Sequence, residues 1–364
     1  MKNISIIASI IVIAFLQGCE ETIPDTSEIQ ISHLKSSGNW TIPINEVFDG
    51  GAGKDGIPAL SDPEFIPVNE VDYLRDDDLV LGFMGENQVR AYPHAILNWH
   101  EIVNDQIEDV YLSVTYCPLT GTGIGWDRVI DGEVSSFGVS GLIYNTNLIP
   151  YDRMTDSNWS QIMGECVNGE LVGRSIKTHH LVETTWLTWK NMFPSSSVMS
   201  TETGYNRDYK VYPYGGYMLI DDFLLFPVSH TDDRIPNKER VHGIVFLGLA
   251  RVYTFSEFED GVIAKQETIR GRKFVIAGSS EDNFIVSYYS DPGDGTELEF
   301  KGVQNKYPIV MTDQECNMWD LFGKAVSGPR KGTQLKPSGG FMGYWLAFAA
   351  FYPGVEISNP SSLE

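Results

Sequence analysis

The sequence contains few cysteines and no closely spaced cysteine pair. Its 364 residues include four cysteines, and none of them belongs to a Cys-x-x-Cys motif. Zinc ribbons and thioredoxin-type redox sites are built on such pairs, so neither kind of site is predicted.

Basic residues are also scarce. There are 26 lysines and arginines against 49 aspartates and glutamates, which gives a formal net charge of -23. Because an acidic surface repels a phosphate backbone, we predict no nucleic-acid partner.

Long apolar runs are absent after the N-terminus, where no stretch reaches the ~18 apolar residues of a membrane-spanning helix. At the N-terminus, Lys2 precedes a short apolar run over residues 4–16, and Leu16-Gln17-Gly18-Cys19 follows it. This pattern resembles a bacterial lipobox, with cleavage before Cys19 and lipidation of Cys19 by acyl chains such as palmitate. The alternative is an ordinary signal peptide with a chance cysteine.

These features predict a lipid-anchored protein of the bacterial cell envelope. Residues 1–18 are then a lipoprotein signal peptide, and residues 19–56 a linker and N-terminal extension. The folded part lies outside the cytoplasm, in the periplasm or on the cell surface. Its predicted partners are the membrane, through the N-terminal lipid, and an unknown ligand or protein.

An internal repeat is visible when the chain is compared with itself. Residues 154–169 and 311–328 both read Met-Thr-Asp, then Trp, then Gly, a small apolar pair and a closing Gly. Residues 185–194 resemble 344–353, and residues 79–92 resemble 240–253, in the same order along the chain. Three pairs of similar segments in the same order indicate an internal duplication of the chain.

We therefore predict an α+β fold made of two copies of a β-rich mixed unit related by internal duplication. The first unit covers 57–200 and carries the candidate site, and the second, degenerate unit covers 201–358. In each unit, strands are expected to lead to a Trp-bearing helix and then to a second aromatic helix. A hairpin is expected over 79–92, a helix over 94–103 and a strand over 110–116.

Chemically capable side chains are concentrated in residues 89–128, which contain His94, His100 and Cys117. The second unit has no cysteine at the position of Cys117 and has Phe255 at that of His94. Side chains that only the first unit carries are candidates for a functional site. His100 and Cys117 are the strongest of them.

Several short motifs in this region resemble one family. They are Asp55-Gly56-Ile57-Pro58-Ala59-Leu60, Arg90-Ala91-Tyr92-Pro93, Asn98-Trp99-His100-Glu101, Thr115-Tyr116-Cys117-Pro118-Leu119-Thr120-Gly121 and Tyr151-Asp152-Arg153 with Trp159-Ser160-Gln161. Together they resemble the bacterial family catalogued as domain of unknown function 3179, over roughly residues 50–350. The resemblance implies no particular activity. Many members of the family carry a second cysteine where this chain has Thr120, which argues against a dithiol role here.

The leading hypothesis is a ligand or metal site near His100 and Cys117. A metal site would use His94, His100 and Cys117, and this donor set suits a copper or zinc ion. A first alternative is a Cys-His enzyme, with Cys117 as nucleophile and His100 as its base. A second alternative is a structural envelope protein without catalysis.

Further polar residues are predicted to line a ligand cleft. They are Asn104 and Asp105 after the His100 helix, and Asn145, Asn147, Asp152 and Arg153 in an Asn-rich segment. Their amide, carboxylate and guanidinium groups could bind a polar ligand.

Overall fold

The computed structural model describes residues 38–358. The predicted signal peptide over 1–18, the lipidation site Cys19 and the first part of the linker lie outside these residues. In the described part, no helix is long and apolar enough to cross a membrane.

The described chain is mostly β-sheet with three short α-helices, which confirms the β-rich α+β prediction. Its first half contains β1 (Val47–Asp49), β2 (Leu60–Ser61), β3 (Phe65–Pro67), β4 (Leu79–Met84), β5 (Val89–Pro93), α1 (His94–His100), β6 (Ile102–Ile107), β7 (Val110–Cys117), β8 (Thr122–Asp127), β9 (Val129–Ile130), β10 (Glu133–Val134), β11 (Phe137–Tyr144), β12 (Asn147–Asp152), β13 (Asn158–Ser160), β14 (Glu165–Asn168), β15 (Thr178–His179), β16 (Val182–Thr185), α2 (Trp186–Met192) and β17 (Ser197–Met199).

The second half continues with β18 (Arg240–Phe246), β19 (Leu249–Thr254), β20 (Ile263–Ile269), β21 (Arg272–Ser279), β22 (Phe284–Tyr289), β23 (Phe300–Gly302), β24 (Ile309–Asp313), β25 (Met318–Asp320), β26 (Ala325–Ser327), β27 (Phe341–Tyr344), α3 (Trp345–Phe351) and β28 (Glu356–Ile357). Between β17 and β18, residues 200–239 form a long connecting segment whose one regular element is the short 3-10 turn Tyr217–Leu219.

Three sheets of the first half have counterparts in the second half. The order β16-β4-β5-β17 corresponds to β27-β18-β19-β28, and in both sheets the last pair is parallel. The meander β6-β7-β8 corresponds to β20-β21-β22, and the antiparallel sheet β11-β12-β13-β14 corresponds to β23-β24-β25-β26. Helices α2 and α3 occupy equivalent places, each between the outer strand and the parallel strand of its sheet.

The two halves share a hydrophobic core. Trp189 of α2 and Phe193 pack against Phe322 of the second half, with ring centroids 6.3 Å and 5.5 Å apart. Residues of both halves belong to this largest buried cluster. At about 25 cal/mol per Å² of buried apolar surface, such large aromatic side chains contribute strongly to the stability of the whole chain.

Helix α1 carries the histidines at the centre of the site hypothesis. It begins after Pro93, whose extended backbone suits a helix start, and buries His94, Ile96, Leu97 and His100. The hairpin predicted before it, β4 and β5, is confirmed. The predicted helix over 94–103 is too long, because Glu101 adopts a positive φ of 57° and β6 begins at Ile102.

The Trp-bearing helices predicted in the repeated segments are wrong. Trp159 and Trp319 lie in the strands β13 and β25. Each indole Nε1 donates to a preceding aspartate, Asp152 at 3.0 Å and Asp313 at 2.8 Å. Each bond closes a compact loop between the aspartate and the tryptophan, and the tryptophan that follows the loop lies in a strand. The second aromatic helices, α2 and α3, are confirmed.

Candidate functional site

His100 and Cys117 do not form the pair on which the enzyme hypothesis depends. His100 lies at the end of α1, and both of its ring nitrogens have other partners. Nδ1 is 2.8 Å from the Pro58 carbonyl oxygen, and Nε2 is 2.8 Å from the Tyr209 hydroxyl. Tyr209 comes from the connecting segment. The imidazole therefore holds that segment against α1.

Cys117 ends β7 and is fully buried. Its Sγ donates to the Thr146 carbonyl oxygen at 3.7 Å. Burial, together with the negative charge of Glu101, raises the pKa of the Cys117 thiol to about 11. The thiol is therefore protonated at neutral pH and is a poor nucleophile.

The metal hypothesis requires His94, His100 and Cys117 to converge. Within residues 38–358, no group of three or more His, Cys, Asp or Glu side chains is arranged to hold a metal ion. His94 contacts Glu183, while His100 and Cys117 contact other groups. The described residues therefore do not fit the copper or zinc ion considered from sequence.

Asn104 and Asp105 connect parts of the fold. The Asn104 amide donates to the Phe137 carbonyl at 2.9 Å and accepts from the Phe137 N–H at 2.8 Å. Asp105 accepts from Arg90 at 2.7 Å and from the Tyr92 hydroxyl at 2.6 Å. These contacts occupy the polar atoms that were predicted to bind a ligand.

Asn145 and Asn147 are buried in the interior. Asn145 Oδ1 accepts from the Ser229 N–H at 2.7 Å. Asn147 Nδ2 donates to Gln161 Oε1 at 2.7 Å and to Thr120 Oγ1 at 2.9 Å. Thr120 therefore serves as an acceptor in a buried polar network.

Asp152 and Arg153 also have partners within the fold. Asp152 is buried and accepts from the Trp159 indole. Arg153 Nη2 is 2.7 Å from Asp55 Oδ1 in a half-exposed ion pair. These contacts stabilise the turn after β12.

A large cavity is lined by residues of α1, of β18, of the connecting segment and of the stretch 72–79. Its volume is about 660 Å³, within the usual size range of small-molecule sites. Its lining comprises Asp72, Tyr73, Leu74, Arg75, Asp77, Asp78, Leu79, His94, Ala95, Asn98, Tyr116, Tyr209, Lys210, Val211, Tyr212, Met218, Arg240 and Tyr344. Of the residues predicted from sequence, this cavity contains His94.

Two polar side chains of this lining, His94 and Arg240, form what we call the floor, and both contact the carboxylate of Glu183, which does not itself line the cavity. His94 Nε2 lies 3.2 Å from Glu183 Oε2, and Arg240 Nη2 forms an ion pair with Glu183 Oε1. The side chain of Glu183 is 2 % exposed, which makes this carboxylate one of the most deeply buried charges in the described chain. His94 comes from α1, Glu183 from β16 and Arg240 from β18, so both halves contribute.

Burial determines the protonation state of His94. It lowers the pKa of His94 well below its usual value, and the positive charge of Arg240 lowers it further. His94 is therefore neutral at physiological pH. A neutral imidazole next to a buried Arg–Glu pair can donate, accept or transfer a proton.

Glu183 and Arg240 were not identified from the sequence. A signal for Arg240 does exist, because Leu79 occupies its place in the matching segment of the first half. A charged residue that replaces an apolar one at the start of a buried strand needs a partner. Glu183 gives a similar signal, because it is a charged residue between the buried residues Val182 and Thr184 of β16.

Comparison with known proteins identifies a family but no individual relative. No curated protein and no solved structure matches the chain. A family model described as "Protein of unknown function (DUF3179)" matches residues 54–355, which is most of the sequence. The motifs that suggested this family from the sequence lie within the matched range. The chain therefore belongs to the DUF3179 family.

Proposed function

We propose that this protein binds a small molecule with a polar group in the cavity whose floor is formed by His94 and Arg240. One observation carries the proposal: Arg240 is held at the floor of an open cavity, and its Nε has no hydrogen-bond partner within residues 38–358. Burying a guanidinium and a carboxylate costs several kcal/mol for each ion, and an apolar pair in the same place is often more stable. Such an arrangement beside a cavity supports binding better than it supports folding.

The groups around Arg240 suit a ligand that carries hydrogen-bond acceptors. Tyr116 and Tyr344, whose hydroxyls can donate to an acceptor, line the same cavity. Asn98 Oδ1 is buried without a hydrogen-bond partner in the described residues and can accept from a donor elsewhere on the ligand. A guanidinium presents its donors in a planar fork that matches carboxylates and phosphates.

The Cys117 enzyme hypothesis has less support. Its thiol is buried and protonated, and the His100 nitrogens are bonded elsewhere. A purely structural role leaves the buried charges at the cavity floor without an explanation.

The proposed location remains a lipid-anchored position outside the cytoplasm. It rests on the apolar run over 4–16 and on Cys19 in the lipobox-like sequence. Cells that express the full chain and are fed labelled palmitate should incorporate the label, and Cys19→Ser should abolish incorporation. Equal labelling of both chains would reject lipidation at Cys19.

We also propose that the chain arose by duplication of one β-rich unit, now represented by 57–200 and 201–358. The matched strand orders support this origin. So do two glycine contacts: a Cβ on Gly82 would overlap Trp189 of α2, and a Cβ on Gly243 would overlap Phe348 of α3.

Ligand-observed NMR with a mixed library of neutral, anionic and cationic fragments tests the binding proposal. We expect several fragments to bind the wild-type protein and to lose binding when Ala95→Trp fills the cavity. Leu187→Trp, on the exposed face of α2, is the matched control and should bind as the wild type does. Both variants must keep the wild-type unfolding temperature within a few degrees. Fragments that bind all three proteins equally would reject the site.

A further inference from the structure

We infer that the ligand of this cavity is an amphiphile with an oxyanion head and an apolar chain. This inference rests on the proposed binding function and specifies its ligand class. The head would contact Arg240 at the floor, and the chain would run towards the apolar residues at the mouth.

The first observation is a concentration of exposed apolar side chains at the mouth. Val211 and Met218 line the cavity and are 53 % and 42 % exposed. Leu219 and Ile220, next in the chain, are 83 % and 54 % exposed. A folded protein seldom exposes adjacent large apolar residues unless they contact something. All four belong to the connecting segment, which is tied to the fold by the Tyr209, Tyr214 and Tyr217 hydroxyls.

The second observation is the placement of positive charge deeper in the cavity. Arg240 Nε has no hydrogen-bond partner in the described chain, and Glu183 contacts Arg240 through Nη2. The Arg240 side chain lines the cavity, and its guanidinium can donate to an oxyanion there; hydrogen bonds between charged groups are about twice as strong as neutral ones. Besides Arg75 and Arg240, Lys210 is a third cation of the lining, and it forms no ion pair within residues 38–358.

The acidic residues of the lining belong to one stretch of the chain, residues 72–78. Asp77 and Asp78 are engaged by Arg75, at 3.5 Å and 2.9 Å. Asp72 adjoins Tyr73 and Arg75 in the same segment. The charge pattern thus distinguishes an acidic stretch, in which Arg75 pairs with two of the three carboxylates, from Arg240 and Lys210 in other parts of the lining. An anionic head is favoured near Arg240 and Lys210.

The apolar residues of the lining favour a chain over a compact anion. Each methylene removed from water contributes about 0.8 kcal/mol, so a few methylenes against Val211 and Met218 outweigh one hydrogen bond. A short anion such as acetate would gain the contact with Arg240 and lose this apolar contribution. A long neutral amide would gain the apolar contribution and lose the charge.

Titration calorimetry with matched probes tests the ligand class. Octanoate and octyl phosphate should each bind about tenfold more tightly than octanamide and octylamine. Octanoate should also bind more than about tenfold more tightly than acetate, since two buried methylenes already exceed that factor. The two anionic probes distinguish a carboxylate head from a phosphate head. Octanamide or octylamine binding as tightly as both anions would overturn the inference.

Variants locate the two ends of the probe. Val211→Ser combined with Met218→Ser should weaken octanoate binding about tenfold, whereas Leu187→Ser, an exposed apolar residue on α2, should not change it. Arg240→Gln should remove the preference for octanoate over octanamide. If Arg240→Gln fails to fold, the preference of the wild type for octanoate over octanamide and the effect of the double serine variant still test the inference. Octanoate binding that is unchanged in the double serine variant would overturn the inference.

Failure of the inference can be distinguished from failure of the proposed function. Fragments that require an open cavity at Ala95 but show no preference for anionic amphiphiles would overturn the ligand class alone. If no probe or fragment is sensitive to Ala95→Trp, both proposals are overturned.

Discussion

His94 Nε2 lies 3.2 Å from Glu183 Oε2, and both side chains are buried where α1 meets β16. The contact joins two distant parts of the first half of the chain. Arg240, from the second half, completes the group by pairing with the same carboxylate. The cavity floor therefore depends on the association of both halves.

The Glu183–Arg240 pair gives a first prediction. Glu183→Gln should lower the free energy of unfolding by about 3 kcal/mol, because it leaves the Arg240 guanidinium buried without a counter-charge. The double variant Glu183→Gln/Arg240→Met should recover most of that loss. Urea unfolding at pH 7 measures both. Arg240→Met is measured as the other single variant, and a double-variant loss equal to the sum of the two single losses would show that the side chains do not interact.

The two glycine contacts give a second prediction. Gly82→Ala and Gly243→Ala should each lower the free energy of unfolding by about 2–3 kcal/mol, because the new Cβ overlaps Trp189 or Phe348. Gly216→Ala is the control, since Gly216 has a negative φ and its nearest neighbour is 3.7 Å from the added carbon. A loss confined to one of the two core glycines would weaken the case for matched packing in the two halves.

Glu101 gives a prediction about pH. Burial raises the pKa of the Glu101 carboxyl from 4.5 to about 7, although a hydrogen bond from Tyr214 opposes the change. Between pH 4.5 and about pH 7, the Glu101 carboxyl keeps its proton in the folded protein but has lost it in the unfolded chain. The contribution of Glu101 to stability is therefore full below pH 4.5 and is lost as the pH rises through 7.

Glu101→Gln removes this titration. From pH 5 to pH 8, the free energy of unfolding of the wild type should fall by about 2 kcal/mol more than that of the variant. Chemical denaturation at the two pH values measures the difference. Parallel behaviour of the two proteins would mean that Glu101 ionises in the folded state as it does in water.

Cysteine reactivity gives a fourth prediction, with protein that begins at Glu20. Cys316 is exposed, whereas Cys117 and Cys166 are buried, and burial raises the pKa of each of the latter to about 11. At pH 8 only about one in a thousand such thiols is ionised. Iodoacetamide should therefore modify Cys316 in the native protein, and the other two after unfolding.

Intact mass before and after denaturation counts the modified thiols, and Cys316→Ser should show no native labelling. Native labelling of Cys117 at a rate close to that of Cys316 would revive the Cys-His enzyme hypothesis.

Local patterns predicted much of the fold. The hairpin before Pro93, the strand ending at Cys117 and the aromatic helices α2 and α3 follow from alternation, turn residues and helical spacing. The spacing around Trp159 and Trp319 mimics a helical period and predicts helices, whereas the structure has strands there. Hydrogen bonds from the two indoles to Asp152 and Asp313 determine the conformation of these segments. The spacing of apolar residues does not reveal such bonds.

The site was harder to predict, because its side chains come from three separate segments. Closeness in sequence drew attention to His100 and Cys117, which the fold directs to different neighbours. His94 was included, but its partners Glu183 and Arg240 lie far along the chain. Their burial depends on the pairing of β16 with β4 and of β18 with β27, which spacing alone does not reveal.

The most direct test of the central claim is a crystal structure of the protein with a bound octanoate or with the tightest fragment from the library. We predict density in the cavity beside α1, with a ligand oxygen within about 3.5 Å of the Arg240 guanidinium. Density elsewhere on the protein, with this cavity holding only water, would contradict the account.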